Sequence, residues 1–501
     1  MSVAILRSRA QLGTEAPPVT IEVFLSGGLP GFSIVGMPET AVRESKDRVR
    51  AAILSSGFKF PQERITVSLG PADMRKTGGR FDLAIALGIL ASSKQIPAES
   101  VGGYEFFGEL ALNGDIRPVP GVLPAALKTR VAGKHLIVPA DNGAEALLAK
   151  LTVFAAVSLL QVTAHLKQVE PMVALQPSKA AMGSAQAPDL CDVRGQAHPK
   201  RALEVAAAGG HNLLFVGPPG TGKSMLAARL SGILPPMSEA EAIETAAIDS
   251  VLGRPPDLSR WRCRPFRSPH HTASSAALVG GGPDPNPGEI SRAHNGVLFL
   301  DELPQFNRNV LEVLREPLEA GTITISRAGR QADFPARFQL IAAMNPCPCG
   351  YLGDLAGECG CSAERVANYR SRISGPMLDR IDLHVEVGRP PKEVLRGVGT
   401  AGEKSSDVMV RVVAARRKQI MRAGACNARL QGRKLTRDCE LDDEGWRLID
   451  TAAEKFALSV RSYQRVMRVS RTIADLAEEQ SIAPPHIAEA LNLRGLERKK
   501  P

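Results

Sequence analysis

Aromatic side chains make up only 4% of this chain of 501 residues. Ring stacking on bases is therefore not the main mode of any nucleic-acid contact. No run of about 18 apolar residues occurs, which leaves no candidate for a membrane-spanning helix. Residues 1–12 alternate arginine with apolar residues but hold neither a long apolar stretch nor a cleavage pattern, so no signal peptide is expected. Eight cysteines are too few for a disulfide scaffold, and four of them cluster, which points to metal rather than oxidation. These absences predict a cytoplasmic protein with no membrane partner. What is present is a length that suggests about three domains and a hydrophobic content of 44%, enough for globular cores. A net charge of +10 permits nucleic-acid partners without selecting them.

The stretch Leu213-Leu214-Phe215-Val216-Gly217-Pro218-Pro219-Gly220-Thr221-Gly222-Lys223-Ser224 organises the chain. An apolar run of strand character ends in a Gly/Pro-rich loop, and a helical pattern follows. That is the G-x-x-x-x-G-K-S/T phosphate loop with the flanks that confirm it. Gly217, Gly220 and Gly222 let backbone N–H groups curl around phosphate oxygens, with Pro218, Pro219 and Thr221 between them. Lys223 reaches the β- and γ-phosphates, and the Ser224 hydroxyl ligates Mg²⁺. ATP and Mg²⁺ are the expected cofactors.

A second apolar strand, residues 296–300, ends in Asp301-Glu302. After a phosphate loop, this suits a central parallel strand that carries its carboxylates to the nucleotide. Asp301 then supports Mg²⁺ and Glu302 polarises the attacking water. A third strand, residues 338–344, ends in Asn345, placed to sense the γ-phosphate or hold the water. This order of parts resembles the AAA+ ATPases. Within that resemblance, residues 323–330 (ITISRAGR) look like the hairpin that minichromosome-maintenance helicases and magnesium-chelatase motors place before the sensor strand. The resemblance implies that Arg327, and Arg330 beside it, contact DNA in the pore of a ring. An exposed hairpin with two solvated arginines is the alternative. Arg380 matches an arginine finger supplied in trans to a neighbour's ATP, against the alternative of an ion pair with Asp379 or Asp382. A finger in trans requires an oligomer, a hexamer by family.

Residues 231–295 read as a loop-rich insertion, dense in proline and glycine. Its His270-His271 pair suggests polar contacts at a subunit or pore surface, because adjacent residues rarely share one ion. Cys347, Cys349, Cys359 and Cys361 form two C-x-C pairs. Four thiolates in one loop close a tetrahedral Zn²⁺ site; four free thiols in a reducing cell are the other possibility.

The N-terminal third alternates strands (21–25, 32–35, 64–69, 136–139) with helices (39–56, 81–92), an α+β layered domain. Residues 71–83 (PADMRKTGGRFDL) and 108–119 (GELALNGDIRPV) resemble the proteolytic domain of Lon-type proteases. The serine and lysine of that family fall at about Phe81 and Leu123, so the resemblance implies the fold without the peptidase. A small-residue and proline-rich stretch at 171–188 is a linker. Residues 408–437 hold nine basic residues and no acid, which either track a phosphate backbone or form a solvated face. Residues 458–465 (LSVRSYQR) resemble the lid motif whose arginine, here Arg461, reaches the γ-phosphate of its own chain. The helix at 486–493 matches the magnesium-chelatase C-terminal domain.

Together these parts resemble the ComM/YifB family over nearly the whole chain. The implied fold is α/β and α+β multidomain. It comprises an inactive Lon-protease-like domain (1–170), the linker, an AAA+ motor with a parallel sheet (189–395) and a helical lid (405–501). The implied function is a hexameric ATP-dependent DNA motor, acting on single-stranded or branched DNA in natural transformation and recombination. A protein-remodelling or magnesium-chelatase-like metal-insertion motor is the rival.

Overall fold

In the strand Pro18–Ser26, Val19, Ile21, Val23 and Leu25 are buried while Pro18 and Glu22 face out, the period of two that a one-sided sheet demands. A computed structural model describes residues 2–176, 187–282, 285–327, 330–354, 357–390, 402–456 and 458–495. The strand pairs antiparallel with Ser2–Arg9 on one side and Arg64–Gly70 on the other, and Gly31–Val35 joins the latter in parallel. Ser2–Arg9 is a strand beyond those expected from the sequence. Its arginine/apolar alternation turns Ala4 and Leu6 inward and Val3 and Ile5 outward. The helix Asp82–Ser92 is buried along its whole length beneath this sheet, near where the sequence predicts it. It comes that close through Gly88, where a Cβ would lie 2.5 Å from Val23 Cγ2. A three-stranded parallel sheet of Tyr104–Phe106, His135–Pro139 and Val153–Ala156 completes the domain. The helix expected at 39–56 is split into Thr40–Arg43 and Ser45–Ser55. Phe81 and Leu123 are both buried among apolar residues, so those two positions offer neither nucleophile nor base.

The second unit is built on five parallel strands in the order Phe266–Arg267, Val297–Leu300, Gln339–Met344, Leu213–Val216, Leu383–Glu386. Its three central strands are apolar apart from Gln339 at the start of one, because both faces are covered. Leu213, Phe215, Val297, Phe299, Ile341 and Ala343 enter one core, and Leu214, Val216, Leu298, Leu300, Leu340 and Ala342 enter the other. The insertion is less loop-rich than proline and glycine suggest. Ser238 and Glu241 form a reciprocal capping box that starts the helix Glu239–Val251. That helix docks the N-terminal domain. Ala246 and Ala247 pack against Val122, Leu123 and Ala126. Gly121 N–H donates to Ser250 O at 2.7 Å and Leu123 N–H to Ser250 Oγ at 3.1 Å.

Residues 171–176 of the expected linker are partly packed, with Leu175 N–H donating to Val153 O at 2.9 Å, while 177–186 lie outside the described residues. The C-terminal helices Ser405–Ala423, Val460–Leu476 and Pro484–Asn492 share the first motor core. This packing consumes much of the basic run. Arg411 pairs with Glu204 and Glu403, Arg416 donates to the carbonyls of Ala207 and Ala208, and Arg422 binds Asp475 through two bonds of 2.8 Å. Lys434 caps Ala423 O and Arg437 pairs with Asp438. Part of the run is therefore engaged in holding the lid to the motor, while Arg411, Arg417, Arg433, Lys434 and Arg437 remain exposed, as both a phosphate track and a solvated face require.

Asp475 is 2% exposed and also accepts from Arg471 and Asn427. Removing it takes the paired carboxylate from buried Arg471 and partly buried Arg422. Asp475→Ala is expected to destabilise the lid by ~3–5 kcal/mol, read as a fall in the midpoint of urea unfolding followed at Trp446; an unchanged midpoint contradicts this.

Candidate active site

The strand Leu213–Val216 delivers its chain into a loop that only glycine can open. A Cβ at Gly217 would lie 2.1 Å from Val387 O, and Gly222 turns the chain into its helix at φ +87. Lys223 starts that helix and is 8% exposed. Its Nζ donates to Gly217 O and Pro218 O, both at 2.8 Å, and to Asn345 Oδ1 at 3.2 Å. Burial lowers the Lys223 pKa, against the opposing fields of Asp301 and Glu302. The remaining loop residues brace this arrangement. Thr221 Oγ1 donates to Pro218 O at 2.9 Å, Gly220 is in the left-handed region, and Pro219 is covered by Gly350.

The strand Val297–Leu300 ends beside this loop, and Ser224 Oγ donates to Asp301 Oδ2. A hydroxyl and a carboxylate brought together here are the hard oxygen donors that Mg²⁺ prefers, so the residues fit that ion. Glu302 sits in the left-handed conformation at φ +53, and its N–H donates to Asp301 Oδ1 at 2.9 Å. Its carboxylate Oε2 lies 3.4 Å from His271 Nδ1. His271 stacks on His270 with ring centroids 4.1 Å apart. The sequence assigned this histidine pair to a subunit or pore surface; the fold brings His271 to Glu302. Adjacent histidines in an insertion gave no signal of that contact. Asn345 follows the strand Gln339–Met344 at the same edge of the sheet.

Arg380 and Arg461 are not at this edge. Both line a cavity of about 930 Å³ at the amino ends of the strands, with Asn212, Gly296, Gln339 and Asp382. The phosphate loop and this cavity lie at opposite ends of a strand four residues long, about 13 Å apart. The contact from Arg461 to its own chain's γ-phosphate is therefore not what the fold brings together, because the lid helices pack behind the sheet and not over the loop. Arg380 donates to Pro376 O at 2.7 Å and pairs with Glu319, not with Asp379 or Asp382. Asp382 is taken instead by Arg465 at 3.0 Å, the Asn212 N–H and His211. Burial pushes the Asp382 carboxyl up, but these partners prevail and hold it well below the usual range. Arg264, Arg416, Arg429 and Arg468 add further positive charge to the cavity.

Two more expectations concern loops. The hairpin forms from Thr322–Arg327 and Arg330–Pro335, with Arg327 opposite Arg330 at its end. The side chains of Arg327 and Arg330 lie outside the described residues. The four cysteines come together, with all four Sγ atoms within 4.8 Å of one another. Cys347 lies 3.3 Å from Cys349 and 3.7 Å from Cys359, and Cys349 lies 3.6 Å from Cys359. Bonds of about 2.3 Å to a tetrahedral Zn²⁺ would place sulfurs about 3.8 Å apart, so the donor set fits.

The chain matches the family described as magnesium chelatase, subunit ChlI, over residues 189–395, and its C-terminal counterpart over 402–494. Residues 21–142 match a family described as subunit ChlI of Mg-chelatase. Competence protein ComM of Haemophilus influenzae is 50% identical over 99% of this chain and 98% of its own length. The uncharacterized protein YifB of Salmonella typhimurium is 49% identical with the same coverage. The magnesium-chelatase 38 kDa subunit of Cereibacter sphaeroides is 26% identical over 40% of this chain and 58% of its own length.

The His271 contact makes a definite prediction. A contact of this kind between partly exposed polar groups is worth up to ~1 kcal/mol, so freeing Glu302 by His271→Ala should raise basal phosphate release by no more than about fivefold. A nucleotide-binding titration alongside should be unchanged; a rate that falls means that His271 assists Glu302 rather than restraining it.

Proposed function

This chain belongs to the ComM/YifB family of magnesium-chelatase-like AAA+ ATPases, and from that premise we propose that it is an ATP-dependent DNA motor. In this reading it works in the cytoplasm as a hexameric ring that drives branch migration while single-stranded DNA is integrated, in natural transformation and recombination. The observation that carries the reading is the division of the site. Lys223, Ser224, Asp301, Glu302 and Asn345 gather at one edge of the sheet, while Arg380 and Arg461 gather at the other. Neither set is sufficient alone. A ring that lays one subunit's amino edge against the next subunit's loop makes them one site.

The chemistry follows from these positions. Phosphate oxygens replace the carbonyls of Gly217 and Pro218 as acceptors for the Lys223 ammonium, and the loop N–H groups bind around them. Ser224 and Asp301 are the residues that would hold Mg²⁺, which when bound neutralises charge on the phosphates. Glu302 accepts a proton from the water that attacks the γ-phosphorus. Asn345, already bonded to Lys223, orients that water or reads the γ-phosphate. The neighbour's Arg380 and Arg461 stabilise charge developing on the transferred oxygens, both in trans.

Support for DNA as the partner is independent of this site. It comes from the net charge of +10, the hairpin ending at Arg327 and Arg330, and the competence role printed in the name of a relative that matches almost end to end. Zn²⁺ at Cys347, Cys349, Cys359 and Cys361 belongs to the same reading as a structural metal.

The decisive experiment is phosphate release with and without single-stranded or forked DNA, using Lys223→Ala as the inactive control. DNA is expected to stimulate the rate, and the stimulation should fall steeply as salt rises. A rate indifferent to DNA at every salt concentration removes the DNA motor and leaves a protein-remodelling or metal-insertion motor. A second prediction concerns the shared site. Lys223→Ala and Arg380→Ala chains are each expected to lose at least about a thousandfold in rate. Mixing them should restore measurable hydrolysis, because some interfaces then pair an intact loop with an intact arginine. No recovery on mixing contradicts the composite site.

A further inference from the structure

We infer that the four cysteines form a zinc clip whose task is to position Asn345 against Lys223, so that metal occupancy controls hydrolysis and not nucleotide binding. The inference rests on the ATP-hydrolysing reading of that site and adds a device to it. Chain connectivity is the first support. Cys347 stands two residues beyond Asn345 and is fully buried. Whatever fixes Cys347 therefore fixes the end of the sensor strand. Cys349, Cys359 and Cys361 reach the same point, and the sulfur separations of 3.3–3.7 Å among Cys347, Cys349 and Cys359 are close to the edges of a tetrahedral thiolate site.

The second support is what the loop touches. Gly350, inside the clip, is wedged between the phosphate loop and the sensor. A Cβ there would lie 2.7 Å from Pro219 Cδ and 3.8 Å from Asn345 Cγ. Its N–H donates to Cys347 O at 3.0 Å, closing a tight turn. Arg370 Nε donates to Pro346 O at 3.2 Å, gripping the peptide between Asn345 and Cys347. Farther out, Asp354 pairs with Arg389 Nε at 2.9 Å and so ties the clip to the chain leaving the strand Leu383–Glu386. Among the described residues, Gly350 thus meets the phosphate loop and Asn345 directly, and Pro346 is held next to Asn345 in the chain. Without a cation, four sulfurs at van der Waals distance have only weak S–H contacts to hold them. Four thiolates on Zn²⁺ hold the loop through strong bonds, and the binding energy becomes local folding energy.

The test uses the full-length protein. Metal analysis is expected to give one zinc per chain. A Cys349→Ser/Cys361→Ser double variant should lose that zinc and fall about tenfold or more in kcat, since a misplacement of about 1 Å can cost a hundredfold. Its affinity for a fluorescent ADP analogue should stay within threefold. Positioning through Asn345 makes one more demand. In an Asn345→Ala background, already slow, loss of zinc should lower the rate little further. Should the double variant fail to fold, mercurial titration of the unaltered protein with a zinc indicator replaces it. Zinc release and loss of hydrolysis should then run in parallel and reverse with thiol plus zinc. A zinc-free preparation with full activity overturns the proposal, as does a Cys347–Cys349 disulfide in its place or a zinc effect of equal size in the Asn345→Ala background. Loss of hydrolysis in zinc-loaded Lys223→Ala keeps the ATPase reading intact even where the clip fails.

Discussion

The Lys223 ammonium is buried at the head of its helix, and its three hydrogen-bond acceptors are all neutral oxygens: two carbonyls and one amide. Such dipoles compensate a buried cation only in part, which leaves the site biased toward an anion. The surrounding architecture is what makes that arrangement possible. The loop can curl only because Gly217 presses against Val387 O without a side chain. Asn345 can reach the ammonium only because its strand is central and covered on both faces. Asp301 and Glu302 arrive on the other neighbour of that strand, at the same carboxyl edge. A parallel sheet collects the ends of several strands at one edge, and here that edge collects Lys223, Ser224, Asp301, Glu302 and Asn345 together.

The amino edge of the same sheet is equally organised, around positive charge. Arg380, Arg461, Arg465 and Arg468 converge there, and Asp382 and Glu319 neutralise only part of that charge. Between the edges runs a mechanical connection to the N-terminal domain. The helix Glu239–Val251 holds that domain through Ala246, Ala247 and Ser250. The same helix accepts, at Glu241 O, a hydrogen bond of 3.2 Å from Asn295 Nδ2, at the entrance to the strand that delivers Asp301. The N-terminal domain is thus two contacts away from the acidic strand.

Much of this was legible in the residues alone. The phosphate loop, the acidic strand and the sensor strand each announce themselves by an apolar run ending in a polar residue, a local pattern that survives folding. The buried helix at 82–92 was equally plain, since apolar and small residues fill almost all of it. What local pattern could not reveal was which end of the sheet the lid would cover. Arg461 has the same flanking residues whether it meets its own loop or a neighbour's, and only the packing of Val460–Leu476 against the first core decides. The pairing within the basic run is hidden for a similar reason. Its acidic partners, Glu204, Asp475 and Glu403, lie up to 207 positions away, so their pairing is invisible to composition. His271 and Glu302 are likewise joined only by the fold.

The central claim is that one chain holds an incomplete site. Phosphate release per chain, followed together with particle mass as protein concentration is lowered, tests it most directly. The account predicts that specific activity collapses as assemblies dissociate to the 53.4 kDa chain and returns on concentration. A monomer that turns over ATP at the undiminished rate would contradict it.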